Sequence, residues 1–356
     1  MKILHTADLH LNTANPERWE ALEQLVAFAC REQVELFLVA GDLFDRNIEA
    51  ETLRDRLRAT LSNSSMTTVI LPGNHDYQSY RSGLYFGEKV YILKNWTEPF
   101  VFGDLSIWGL PFEKLEGDRL AGRLQEMGGL MDKQRRNILL FHGELLDAFY
   151  STRDVGEEGN RRYMPVHLSS FSTLPVEYVL AGHFHSGYKG WEIGDERLFI
   201  YPGSPVSVTS RETGRRMANL IVDDQRPSEI ALDTFHYEDL TIELDPFCPE
   251  NPLLNIEKSL QQMHPSARVI LTVRGLFDGS RLDLSESELA AGIKEVVGER
   301  LAGAALENFT DVRHVLEDDL FKAFLARLDT EDYSGREKAR IRELAIKAFR
   351  VVKACS

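Results

Sequence analysis

Five apolar runs in the first 185 residues (2–6, 34–40, 67–71, 137–141 and 178–181) each stop on a polar cluster. The clusters are Asp8-Leu9-His10, Gly41-Asp42, Gly73-Asn74-His75-Asp76, His142 and Gly182-His183-Phe184-His185. A short apolar run closed by turn residues reads as a buried strand. Open α/β sheets present their sites outside the carboxyl ends of such strands, so side chains scattered from position 8 to position 185 can converge on one small volume. The pattern predicts that these groups collect along one sheet edge.

The residue types at those ends form a ligand set for two metal ions. Asp8 and His10 stand two apart, which in an extended strand end puts both on one face. Asp42 carries two oxygens and can bridge two ions, Asn74 offers an amide oxygen, and His142, His183 and His185 offer imidazole nitrogens. Carboxylate, amide and imidazole without thiolate favour Mn(II), Fe(II) or Zn(II). The expected assignment is Asp8, His10, Asp42 and His185 to the first ion and Asp42, Asn74, His142 and His183 to the second. Two ions about 3.5–4 Å apart acidify a shared water and clamp a phosphate, which implies in-line phosphodiester hydrolysis. His75 is the candidate proton donor or transition-state stabiliser, with Asp76 orienting its ring. Glycines 41, 73 and 182 are expected to allow sharp turns ahead of the ligands. Arg46, Ser204 and Arg211 are candidate substrate contacts, although a helix cap or a pair behind the ligands fits Asp45-Arg46 as well. His5, His167, His236, His264 and His314 lack partners at ligand spacing and read as structural or surface residues.

A chain of 356 residues exceeds what one core usually supports. The expected domains are 1–240, 241–315 and 316–356. Helices are expected at 16–32 and 50–61, a long polar loop at 143–165, and strands near 198–201 and 219–222 that resemble the second sheet of a sandwich. Beyond residue 240 the expected order is strand 240–244, helix 252–264, strand 267–274, helix 285–298, strand 304–313, and helices 318–328 and 335–353. The last helix sets an apolar stripe (Ile341, Leu344, Ala345, Ala348, Val352) beside seven basic residues, which suits either a partner groove or its own domain. No stretch approaches the roughly 20 apolar residues of a membrane helix, and Asp8 falls too early for a signal peptide, so a cytoplasmic enzyme is expected. Cys30, Cys248 and Cys355 show no paired spacing. The net charge of −15 argues mildly against a protein that coats nucleic acid by itself. Basic clusters do occur at 133–136, at Arg161-Arg162 and at 211–216.

Taken together, His5-Thr-Ala-Asp8-Leu-His10, Gly41-Asp42-Leu-Phe-Asp45, Pro72-Gly-Asn-His-Asp76, Gly182-His-Phe-His185 and Tyr201-Pro-Gly-Ser-Pro205 resemble the SbcD-type DNA repair nucleases of the calcineurin-like metallophosphoesterase superfamily. The resemblance covers roughly residues 1–240. It implies an α/β fold, a four-layered α/β/β/α sandwich with a smaller α+β capping domain and C-terminal helices. It also implies Mn(II)-dependent 3′ to 5′ exonuclease action on duplex ends, endonuclease action on single strands, a homodimer, and an SbcC-type coiled-coil ATPase partner docked by the terminal helices. Asp8, His10, Asp42, Asn74, His142, His183 and His185 would then be metal ligands and His75 the catalytic histidine. Two other readings stay open: a phosphodiesterase or pyrophosphohydrolase acting on a small nucleotide or lipid-linked substrate, and a non-catalytic scaffold for the ATPase.

Overall fold

The computed structural model describes residues 1–356 apart from 48, 63, 83, 149–161, 195, 224 and 355–356. Most of the expected 143–165 loop, Arg161 and Cys355 lie outside the described residues. The chain divides into two compact units, Met1–Tyr237 and Glu238–Ser356.

In the first unit, β1 (Lys2–Thr6), β2 (Leu36–Ala40), β3 (Thr67–Leu71) and β4 (Val90–Ile92) run parallel in one sheet. They are joined by α1 (Pro16–Arg31) and α2 (Glu49–Ser62), since parallel neighbours need crossovers. A second sheet takes β5 (Phe100–Phe102), β6 (Leu105–Leu110), β7 (Arg136–His142), β8 (Tyr178–Gly182), β9 (Lys189–Gly194) and β10 (Arg197–Tyr201), in the order β5-β6-β7-β8-β10-β9. The chain then returns through β11 (Met217–Val222) and β12 (Ser228–Ala231), and β11 pairs antiparallel with β1. The expectation that both 198–201 and 219–222 belong to the second sheet thus holds for the former and fails for the latter.

Three apolar layers fill this unit. Ile3, Leu36, Leu38 and Val69 of the first sheet meet Ile107, Ile138, Leu140 and Ile200 of the second. Trp19, Leu22 and Leu25 of α1 and Leu53 and Leu57 of α2 cover the outer face of the first sheet. On the outer face of the second lie Leu120, Leu124 and Met127 of α3 (Gly117–Leu130). The result is α/β/β/α. Strands buried on both faces read as continuous apolar runs rather than alternating ones, which is why they stood out in sequence. Helix α3 did not, because Gly122, Gly128 and Gly129 dilute its helical signal.

The second unit has a three-stranded sheet, β13 (His236–Leu244), β14 (Ala267–Phe277) and β15 (Leu306–Asp311), in that order, β13 starting just inside the first unit. Helices α4 (Pro252–Gln262) and α6 (Glu286–Val297) pack on it through Ile256, Leu260, Leu289 and Ile293, with the four-residue α5 (Gly279–Leu282) between β14 and α6. A reciprocal Ser285–Glu288 cap starts α6. The 316–356 segment packs into this unit as well: after α7 (Arg313–Leu316), Phe321 of α8 (Asp319–Thr330) and Ile346 of α9 (Gly335–Ala354) share a cluster with Phe247 and Leu276. Among the described residues no helix is long and apolar enough to cross a membrane.

Candidate metal centre

The polar clusters converge, but from two sheets: β1, β2 and β3 of the first and β7 and β8 of the second. This corrects the expectation of a single sheet edge. The backbone at the ligands is also not extended. Asp8, His10, Asp42 and His183 all have positive φ (55°, 47°, 49° and 94°), a region costly for side chains other than glycine and one that concentrates at functional sites. The ladder survives the kinks, since Asp8 N–H donates to Gly41 O (3.1 Å) and His10 N–H to Asp42 O (3.0 Å). Of the three glycines expected to turn the chain, Gly41 does so at φ 96°. Gly73 serves close approach instead, because a Cβ there would sit 2.1 Å from Asp42 Oδ1.

Asp8 and Asp42 are fully buried. Asp8 ties the sheets together, both carboxylate oxygens accepting from His183 N–H (3.0 and 2.9 Å). Asp42 Oδ1 accepts from His75 N–H (2.9 Å), while its Oδ2 is buried without a hydrogen-bond partner. His142 Nδ1 lies 2.8 Å from Ala40 O, which fixes the proton on that nitrogen and turns Nε2 toward Asp42 Oδ2 (3.2 Å) and Asn74 Oδ1 (2.9 Å). Three lone pairs meet there, and only a proton or a cation relieves them. Burial alone lowers the pKa of His142, but the Asp42 and Asp8 carboxylates and the Ala40 carbonyl outweigh it and raise it to about 10. Burial raises Asp8, whereas Asp42 is held well below the usual carboxylate range because His142 and its neighbours outweigh desolvation.

Beside this group, His185 Nε2 lies 3.4 Å from His10 Nε2 and 3.8 Å from Asp8 Oδ1. The donor atoms therefore form two buried trios, Asp8/His10/His185 and Asp8/Asp42/His142, each within 4.8 Å. Asp8 belongs to both, whereas the sequence reading gave the bridging place to Asp42, whose Oδ2 is nevertheless 3.9 Å from His10 Nε2. A third grouping joins His10, Asp45 and His75. Asn74 stands against His142, and the His183 ring flanks His142 at 5.6 Å. Buried carboxylates facing imidazole Nε2 atoms, with one carboxylate oxygen orphaned and His142 driven to take up a proton in its place, fit divalent cations.

His75 meets His10 edge-on at 4.7 Å, and its Nδ1 is 2.9 Å from Asp45 O. Asp76 does not orient it: its carboxylate accepts from Gly73 N–H (2.8 Å), Phe44 N–H (3.1 Å) and the Tyr80 hydroxyl (2.9 Å), bracing the loop from beneath. Ser204 is likewise no surface contact, being buried with its hydroxyl directed at Glu212 Oε2 (3.2 Å) and His185 O (3.3 Å). Arg46 is exposed beside Asp45, and Arg211 is exposed just ahead of Glu212.

Sequence reasoning missed Glu212. Fully buried, it takes His185 Nδ1 (3.1 Å) and the Thr209 hydroxyl (3.1 Å) on Oε1, and Val208 N–H (2.8 Å) and Ser204 on Oε2. Burial disfavours its charge, but His185, Arg216 and the Val208 N–H hold its pKa down at about 2. The buried Arg216 donates in turn to the carbonyls of His185 and Ser204. The one available signal was the neighbouring Pro-Gly-Ser-Pro segment. Asp45 also proves to stand behind the ligands, with Oδ1 3.4 Å from His10 Nδ1 and 3.1 Å from Arg18.

A two-sheet sandwich carrying such donors at its strand ends defines a metal-dependent phosphoesterase. The calcineurin-like phosphoesterase family matches residues 1–187, just over half of the chain, and the chain belongs to that family. Among its relatives, the DNA double-strand break repair protein Mre11 of Methanosarcina acetivorans is 26% identical over 360 aligned positions, 90% of this chain and 55% of that protein. The D component of the SbcCD nuclease of Staphylococcus epidermidis is 23% identical over 271 positions, covering 66% of this chain and 69% of that one. A dimetal phosphatase from Danio rerio superposes with a TM-score of 0.43 at 14% identity, covering 65% of this chain and 98% of that structure. The chain spans about half the length of the first of these relatives.

Proposed function

We propose that this chain is a DNA nuclease of repair that uses Mn(II), cuts duplex ends from the 3′ side and nicks single strands. The observation that carries the reading is the pair of buried trios sharing Asp8 beside the orphaned Asp42 Oδ2, in a chain related to proteins named for double-strand break repair and for the SbcCD nuclease. Asp8, His10, Asp42 and His185 would hold one ion and Asp42, Asn74, His142 and His183 the other, with Asp8 able to reach both. Bound there, divalent ions supply Lewis-acid neutralisation of phosphate charge and acidify nearby solvent.

The protein's own part is positioning and proton handling. Ala40 O and Glu212 hold the Nδ1 protons of His142 and His185, so both rings present Nε2 inward. With His75 Nδ1–H donated to the Asp45 carbonyl, the ring would give a proton to the departing oxygen from Nε2 as the doubly protonated imidazolium and be left neutral, its remaining proton on Nδ1. Exposed Leu344, Val351 and Val352 on α9 support docking of an SbcC-type ATPase there. The net charge of −15 favours one competing reading, a phosphodiesterase for small nucleotides, for which acidity is no handicap.

The test is degradation of end-labelled duplex and single-stranded DNA with Mn(II), with and without chelator, beside bis-p-nitrophenyl phosphate. Metal-dependent DNA cleavage is expected. Cleavage of the small diester alone moves the assignment to the competing reading.

A further inference from the structure

Phe112 follows β6, and its N–H donates to Pro72 O (3.1 Å), directly ahead of the Gly73-Asn74-His75 loop. Its nearly buried ring meets Tyr77 edge-on at 5.3 Å and Tyr163 at 5.9 Å. Tyr163 in turn lies 5.2 Å from the ring of His183. The half-buried Tyr163 therefore touches the candidate metal centre on one side and lines a cleft of about 540 Å³ on the other, which it shares with Phe112, Met164 and Arg162. A volume of that order suits a small ligand.

The charge around the cleft decides what kind. Lys114 and Arg162 are balanced by Glu113 and Glu116, and Arg162 also reaches Glu144 at 3.3 Å. Such a rim does not concentrate phosphate. Aromatic walls beneath a neutral rim take a flat, uncharged, polarisable group, and every nucleobase presents a face that stacks on such rings. The distance to the chemistry is one ring, His183 to Tyr163.

Building on the nuclease reading, we infer that the Phe112–Tyr163 cleft is the subsite for a nucleobase next to the scissile phosphate, so that the enzyme grips its strand by stacking rather than by backbone charge. Such stacking is indifferent to base identity, which suits a nuclease without sequence preference.

The experiment compares oligothymidylate with an oligomer of the same length built from abasic deoxyribose phosphates, using the full chain loaded with Mn(II). Wild type is expected to cut the thymidylate strand with a kcat/KM about tenfold above the abasic one, the effect of one stacked base. Tyr163→Leu and Phe112→Leu should bring the ratio of the two kcat/KM values down toward one, whatever their rate on the abasic strand, and Tyr163→Phe should keep the ratio. Because Phe112 is nearly buried, Tyr163→Leu decides if Phe112→Leu does not fold. Equal loss on both strands would assign the rings to packing and overturn the subsite, as would no loss on either. Should wild type cut neither strand yet cleave bis-p-nitrophenyl phosphate, the nuclease reading falls, and the subsite with it.

Discussion

Replacing Glu212 by glutamine tests whether the metal centre depends on a residue that stands behind His185 and is in neither buried trio. Each oxygen of the Glu212 carboxylate accepts two hydrogen bonds, from His185 Nδ1 and Thr209 on one side and from Val208 N–H and Ser204 on the other. An amide of the same shape can satisfy only one side. If its NH₂ faces His185, the ring must carry its proton on Nε2, and the nitrogen that faces Asp8 and His10 loses its lone pair. If it faces Val208, a buried N–H is left unmade at a cost of about 1–3 kcal/mol. Removing a partner behind a metal-binding histidine typically weakens affinity about 10–100-fold, or roughly 1.4–2.7 kcal/mol. The assay is calorimetric titration of metal-free protein with Mn(II), paired with urea unfolding. Ser204→Ala is the control, since it removes one donor to the same carboxylate and leaves the His185 contact in place. A glutamine variant that binds Mn(II) as wild type does, while being less stable, would reduce Glu212 to a structural brace and refute the reasoning.

Other substitutions separate the remaining roles. Asp42→Asn should cost at least about 10²-fold in phosphodiester cleavage, the several kcal/mol that metal-assisted charge neutralisation supplies, and lower the melting temperature of the metal-free protein, because the folded state favours the Asp42 charge against His142 and its loss leaves that buried ring without its main counter-charge. His75→Asn should lower kcat by about 10²–10⁴-fold, the usual worth of a positioned proton donor, with Mn(II) affinity unchanged; a matching fall in affinity would make His75 a ligand instead. His5, fully buried against Asn219, has its pKa pushed down by burial to about 3. The unfolded chain takes up that proton near pH 6.5 and the folded one does not, so stability falls as pH drops below 6.5. Between pH 7 and pH 5 the loss from this one group is about 2 kcal/mol, a figure insensitive to the folded pKa so long as it stays below about 4. Urea unfolding of His5→Gln at the two pH values should show that much less difference than wild type.

The strand ends and the chemistry of their residues were legible because both are local: an apolar run of four to seven residues closed by Asp, Asn or His needs no knowledge of its partners. Sheet membership was not. The runs ending at His142 and Gly182 are as apolar as those ending at Thr6 and Ala40, and a strand buried on both faces looks the same in either sheet. Adjacency in sequence misled at Asp76, where the turn sends the carboxylate beneath the loop to Phe44 and Tyr80 and leaves the Asp45 carbonyl, thirty residues away, to hold His75. Glu212 carried no readable spacing, since its contact with His185 spans 27 residues and its other partners are hydroxyls and a backbone N–H. The two-residue step from Asp8 to His10 suggests extended backbone, but both residues are left-handed, with their N–H groups on the Gly41 and Asp42 carbonyls, partners that lie more than thirty residues away.

That left-handed path limits what can replace the residues that follow it. Aspartate, asparagine and histidine visit this region several-fold more often than most side chains, glycine freely, and β-branched residues hardly at all. Drift at Asp8, His10, Asp42 and His183 is thereby channelled toward a handful of amino acids. A descendant that abandoned catalysis would still trace the same bends, and its ancestry as a hydrolase would stay written in the chain's course after the chemistry had gone.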